Sequence, residues 1–301
     1  MRLIEAIDKF SSWRSFKVKT LTVKGYHFDL RNFCLYMRNP GLEEVQLDDV
    51  LNYLKDLREL GWDENSFMRK CMAFRKFFDF YKRQGMSVID PELIPIPYKQ
   101  FKIPRVATVT DYQNLISVVP ANTSDPRHIR NMAIIKMLWD TGARNGEIAS
   151  LNVADLDLEN MKAVIHTEKS RGRRPIREIF WTRGTNEAIK SWLKKRVHLL
   201  SIMKHMDKDA VFISLSTSLA GQRINTKGIG EMLRKYSNKA GLEYTVNAHS
   251  FRHHMGHNII KQGGSSADVS NILGHSSLES SYIYTMMSNK ELQDRYKKFN
   301  P

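Results

Sequence analysis

The chain has 301 residues, 42% hydrophobic and 26% charged, ordinary proportions for a soluble globular protein with room for one large or two medium domains. No run of about 18 apolar residues exists to cross a membrane, the charged start MRLIEAIDKF does not read as a secretory leader, and two cysteines make neither a disulfide framework nor a metal cluster. Lys and Arg number 47 against 32 Asp and Glu, and both parts are basic, 19 against 14 before Thr108 and 28 against 18 after it. Such a field attracts polyanions, nucleic acid above all, inside a reducing cytosol.

Helices come first along the chain. Tyr26, Leu30, Phe33 and Met37 share one helical face. Leu47, Val50, Leu51, Leu54 and Leu57 form a second stripe. Phe67, Cys71, Phe74, Phe78 and Tyr81 form a third, with Asp63 as its N-cap and Gly85 as its stop. Arg69, Lys70, Arg75, Lys76, Lys82 and Arg83 are assigned to basic outer faces, and Cys34 and Cys71 to the core. Four prolines then break the pattern over 91–105, PELIPIPYKQFKIPR, which reads as an extended linker. The expected division is a helical domain over 1–95, a linker over 96–108 and a second domain over 109–301.

The second domain reads as mainly α with a small antiparallel β-sheet. A helix near 128–140 ends at Gly142 and another begins about Asn145. Lys162–Thr167 and Ile176–Trp181 form a hairpin around the basic turn Glu168–Pro175. Helices follow at about 185–200, 226–240 and 248–262, with a short strand Val211–Ser214 between the first two. Gly263-Gly264 stops the last of these, Ser266 caps a short helix to Leu273, and 277–299 is helical.

Four segments carry unusual polar residues: TGARNGE (141–147), Lys169 in the hairpin, HSFRHH (249–254) and LGHSSLESSYIYT (273–285). Each alone is ordinary, since a turn arginine usually makes an ion pair and a tyrosine in an apolar stretch is usually core. Their order is not. The chain resembles the tyrosine recombinase family, Xer-like and phage-type integrases, whose pattern is "TG-x-R-x-x-E", a hairpin lysine, "H-x-x-R", "LGH" and a tyrosine nine residues after that histidine. Here these positions hold Arg144 with Glu147, Lys169, His249 with Arg252, His275 and Tyr284. KTLTVKGYHFDLRNFCLYM and NYLKDLRELGWDENSFMRKCMAFRKFFDFY resemble the helices of the family's core-binding domain. The chain departs from the pattern at Ala143, Gly146 and Phe251, all taken as packing positions.

The resemblance implies a helical, SAM-like core-binding domain followed by an α+β catalytic domain, clamping duplex DNA that carries a specific recombination site. It implies a homotetramer on DNA, with a monomer allowed in solution, in the cytoplasm with the nucleoid, and with no cofactor, metal or membrane. A phenol has an ordinary pKa near 10, so Tyr284 needs cations or a base beside it to attack a phosphodiester. Arg144 and Arg252 grip phosphate oxygens, Lys169 is the general acid, His249 an acid–base partner and His275 a phosphate donor. Tyr282 faces away from Tyr284 on a helix, and Arg171, Arg173 and Arg174 give up protons less readily than Lys169. The absence of a further N-terminal domain argues against arm-site binding of the lambda type. The tail Asn289–Pro301, with Leu292, Tyr296 and Phe299 at helical spacing, is expected to dock on a neighbouring subunit or on its own domain. The rival readings are a type IB topoisomerase, a non-catalytic DNA-binding relative, and a zinc hydrolase built on His249, His253 and His257.

Overall fold

A computed structural model of the chain describes residues 1–18, 20–98, 105–121, 123–166, 176–203, 206–274 and 297. The chain divides into two compact units, Met1–Lys102 and Ile103–Pro301.

Among its described residues the first unit has four α-helices: α1 (Leu3–Ser15), α2 (Thr20–Tyr36), α3 (Leu47–Glu59) and α4 (Glu64–Lys82). Three were expected; α1 is an addition, seating Leu3, Ala6, Ile7 and Phe10 at helical spacing. Asp63 caps α4 by accepting from the Asn65 and Ser66 N–H groups. Phe10 meets Phe77 edge-on at 5.6 Å, and the Tyr81 hydroxyl donates to the Ala6 carbonyl at 2.8 Å, tying α4 to α1. Both cysteines are buried and free. Lys70 is not on the outer face. It is 1% exposed and donates to the equally buried Asp29 at 2.8 Å, with Arg69 on the other carboxylate oxygen. The reason is spacing: Lys70 lies three residues after Phe67 and four before Phe74, on the apolar stripe. The start of the proline-rich stretch is not extended either. Pro91–Leu93 is a 3-10 turn, Ile94 is fully buried in this unit's core, and its carbonyl accepts from Arg75 Nε at 2.7 Å.

The second unit contains α5 (Val109–Ser117), α6 (Pro126–Thr141), α7 (Asn145–Ser150), β1 (Leu156–Asp157), β2 (Lys162–His166) and β3 (Ile176–Phe180). After them come α8 (Arg183–Ile202), α9 (Thr226–Lys239), α10 (Ala248–Lys261) and α11 (Ser266–Leu273). The strands run antiparallel in the order β1-β2-β3, with Ile165 opposite Arg177 and Ala163 opposite Ile179. Ala163, Ile165 and Ile179 face the core, while Ile176 and Phe180 are exposed.

Val211–Ser214 is not a strand; it makes an isolated bridge at Ile213, and Ala210 just before it makes another. Helix side chains take several of the carbonyls that a ladder would need. Arg196 Nε donates to Ala210, Trp192 Nε1 to Val211 and Arg130 Nη1 to Ile213, each at 2.8 Å. The cap of α11 is Ser265, one residue before the expected Ser266; its Oγ accepts from the Asp268 N–H and its own N–H donates to the Asp268 carboxylate. Residues 277–299 lie, apart from 297, outside the described residues.

Candidate active site

Two glycines shape the site. Gly142 ends α6 and Gly274 ends α11, both with left-handed backbones at φ 58° and 66°. Neither tolerates a side chain. A Cβ on Gly142 would lie 2.8 Å from Leu273, and one on Gly274 would lie 2.7 Å from Cδ and Nε of Arg177. The ends of α6 and α11 therefore pack closely, and α7 starts just after the first of them. Helix α10 is fixed beside α6 by aromatic packing. Trp139 stacks on Tyr112 at 4.3 Å and on His254 at 4.1 Å, and Phe251 meets it edge-on at 5.6 Å.

Three arginines converge on the last carbonyls of α11, groups that a helix leaves without an internal donor. Arg177 Nη1 donates to Ile272 at 2.6 Å, Arg252 Nη2 to Leu273 at 2.6 Å and Arg144 Nη2 to Gly274 at 3.4 Å. Arg252 Nη1 also donates to the Gly142 carbonyl at 3.0 Å, so one guanidinium joins both helix ends. Glu147, 4% exposed, sits among them. It accepts from the Arg144 N–H and Nη1 at 2.8 Å each and from Arg177 Nη2 at 3.1 Å. Burial alone would push its carboxyl up; Arg177, the Arg144 backbone N–H, and the Arg144 and Arg252 guanidiniums outweigh that and hold it below its ordinary value. Burial pulls the Arg177 guanidinium down, with Glu147 opposing.

Of the six residues expected to be catalytic, the structure brings Arg144 and Arg252 to one node. His249 stands on α10 one turn before Arg252, exposed. Lys169, His275 and Tyr284 lie outside the described residues, as do Tyr282, Arg171, Arg173 and Arg174. Ala143 and Phe251 are packing positions, fully buried, but Gly146 is exposed and a Cβ there would meet only Thr226 at 3.9 Å. His249, His253 and His257 stand on successive turns of α10, yet among the described residues no three side chains are arranged to hold a metal ion. Burial first, then the neighbouring His249 and His257, lowers the His253 imidazole to about 4.

The residue missed by sequence reasoning is Arg177. Strand parity was the available signal: it lies two residues before the buried Ile179 and opposite the buried Ile165, so its side chain leaves the core-facing side of β3.

Comparison with known proteins fits this arrangement. The model of the phage integrase family matches residues 105–291, and that of its N-terminal SAM-like domain matches residues 17–85. The chain belongs to the phage integrase family. Among the relatives of this integrase-family chain is tyrosine recombinase XerD of Halalkalibacterium halodurans, 27% identical over 93% of this chain and 91% of that one. Tyrosine recombinase XerC of Bacillus pumilus is 27% identical over 93% and 90%. The fold is also that of the Tn1549 transposon integrase solved with transposon right-end DNA, with a TM-score of 0.76 at 17% identity over the full length of both. XerH recombinase bound to a palindromic difH substrate gives 0.71 at 20% identity, over 93% of this chain and 80% of that one.

Proposed function

We propose that this integrase-family chain is a site-specific tyrosine recombinase that cleaves and rejoins duplex DNA through Tyr284. The carrying observation is the node at the end of α11: three guanidiniums gathered around a single buried carboxylate, where the R-x-x-E and H-x-x-R segments meet. Among the described residues, three cations stand against one anion there, an excess of positive charge suited to a phosphodiester.

In the reaction, the Tyr284 phenol oxygen attacks phosphorus and the bond to the 5′-oxygen breaks. Lys169 gives its proton to that leaving oxygen, and His249 accepts the proton of the phenol. Arg144 and Arg252 offset the charge on the non-bridging oxygens as planar forks, and His275 adds a hydrogen bond. The 3′-phosphotyrosyl ester conserves the energy of the broken bond, so a 5′-hydroxyl of a second strand reverses the step without ATP. Nothing in this scheme requires a metal ion. Four protomers on two recombination sites would exchange strands pairwise through a Holliday junction, in the cytoplasm on nucleoid DNA. The division of labour would be a core-binding domain over 1–95 and a catalytic domain over 109–301, joined by 96–108. Affinity from phosphate contacts would fall steeply with salt.

The test uses a nicked duplex carrying the site that the full-length chain selects from randomised DNA. Wild type should become covalently attached and Tyr284→Phe should not. Attachment by Tyr284→Phe, or none by wild type bound to that DNA, refutes the reading.

A further inference from the structure

We infer that Arg177, which has no part in the chemical steps above, is a positioning residue for the same site: it sets Glu147, and through it Arg144, against the end of α11. The inference rests on the DNA-cleavage reading but is carried by a separate set of contacts. Arg177 leaves β3 on its core-facing side, and its side chain is only 8% exposed. Its two terminal nitrogens have different acceptors, Ile272 O at 2.6 Å and Glu147 Oε2 at 3.1 Å. Its stem lies where any Cβ on Gly274 would have to go. The residue thus joins three elements: the strand returning from residues 167–175, the carboxylate that orients Arg144, and the helix end directly preceding residue 275.

Glu147 is what makes this matter. Its second oxygen holds the Arg144 guanidinium at 2.8 Å. With Arg177 gone, the carboxylate would lose the cation that draws Oε2 away from the Arg144 side chain, and both its oxygens could turn to that guanidinium as a bidentate pair. Arg144 would then be turned toward Glu147 and away from an incoming phosphate. Arg177 is accordingly not a phosphate ligand; it keeps another guanidinium available. A lysine in its place could reach either Glu147 or Ile272, but a single ammonium lacks the fork that spans both.

The test compares wild type, Arg177→Met and Arg177→Lys as full-length proteins on the selected nicked duplex. One duplex carries an ordinary scissile phosphate and the other a neutral methylphosphonate there. On the phosphodiester at saturating DNA, Arg177→Met should cleave about 10- to 100-fold more slowly, less than the loss of a group that touches the phosphate. The Kd for DNA should move by less than about threefold, a loss of transition-state rather than ground-state interaction. On the methylphosphonate, which carries one negative charge fewer for the arginines to offset, most of the deficit should disappear. Arg177→Lys should fall between, and it carries the comparison if the methionine variant does not fold. Separately, NMR titration of labelled Glu147 in Arg177→Met should show its carboxyl pKa higher than in wild type. Equal deficits on both substrates would mean a merely structural role and would overturn the inference, as would wild-type cleavage or an unmoved Glu147 titration. Wild type that never attaches to DNA instead sinks the cleavage reading, while the Glu147 titration still decides whether Arg177 governs that carboxylate.

Discussion

Arg252, the proposed phosphate ligand, should prove to be a structural pin as well, and the size of that effect follows from its contacts. The side chain is 3% exposed and bonds the carbonyls of Gly142 and Leu273, the ends of two different helices. A hydrogen bond with a charged partner contributes about 1.5–3 kcal/mol, so two contribute about 3–6 kcal/mol. Relief of the guanidinium's own desolvation offsets part of this, leaving about 2–4 kcal/mol lost in Arg252→Met. For a unit of this size that lowers the melting temperature by about 4–16 °C. Arg252→Lys, able to reach one carbonyl at a time, should lose about half as much. Calorimetry of the full chain reads the transition, and hydrogen exchange locates the loss at the ends of α6 and α11. A methionine variant melting within about 1 °C of wild type, with unchanged exchange at those ends, would show that the two carbonyl contacts contribute nothing to stability. If the loss is found, cleavage rates of Arg252 variants need correction for the folded fraction before they report catalysis.

Asp29→Ala should cost about 3–5 kcal/mol in urea unfolding because it strands the buried Lys70 ammonium, whereas Asp29→Leu with Lys70→Met should be close to neutral; equal losses would refute the pairing argument. Gly274→Ala should be worse than Gly263→Ala by more than about 1 kcal/mol, since both have positive φ but only the first methyl meets a neighbour, Arg177. Burial keeps His253 neutral down to about pH 4, so the unfolded chain takes the proton first. Melting temperature should therefore fall as pH drops from about 6.5 to about 4, and less so in His253→Gln, with parallel curves as the contrary result.

Much of the fold was legible because its periodicities are strong. The apolar stripes through Leu30 and Phe33, Val50 and Leu54, and Phe74 and Phe78 give α2, α3 and α4, and the β-prone runs on either side of residue 170 give the β2–β3 pair. The motif glycines gave the ends of α6 and α11, because a left-handed cap is a local requirement. Where the reading failed, long-range side-chain bonds had replaced a local rule. Val211–Ser214 has the composition of a strand, but Trp192 and Arg130 take the carbonyls of Val211 and Ile213, and Arg196 that of Ala210 just before it. Arg144 and Arg252 were legible through motif order; no periodicity distinguishes them from ordinary turn and helix arginines.

Lys70 and Arg177 expose one error of principle. Both occupy positions whose spacing assigns them to the core, yet a charged side chain is ordinarily placed on the surface by its type. When type and periodicity disagree, the chain has two physical options: break the element, or bury the charge with partners. Lys70 is buried against a carboxylate, which neutralises it, and it supports a scaffold. Arg252 is buried against backbone carbonyls, whose dipoles orient a guanidinium without cancelling its charge. Arg177 has one partner of each kind. The carbonyl arrangement is the one a phosphate site needs. A carboxylate on every arginine would hold them equally well but compete with the incoming anion, whereas helix-end carbonyls fix the geometry beforehand and bring only about half a negative charge per helix end. Sharing a single carboxylate between Arg144 and Arg177 is consistent with that demand, because it orients two guanidiniums at the cost of one negative charge.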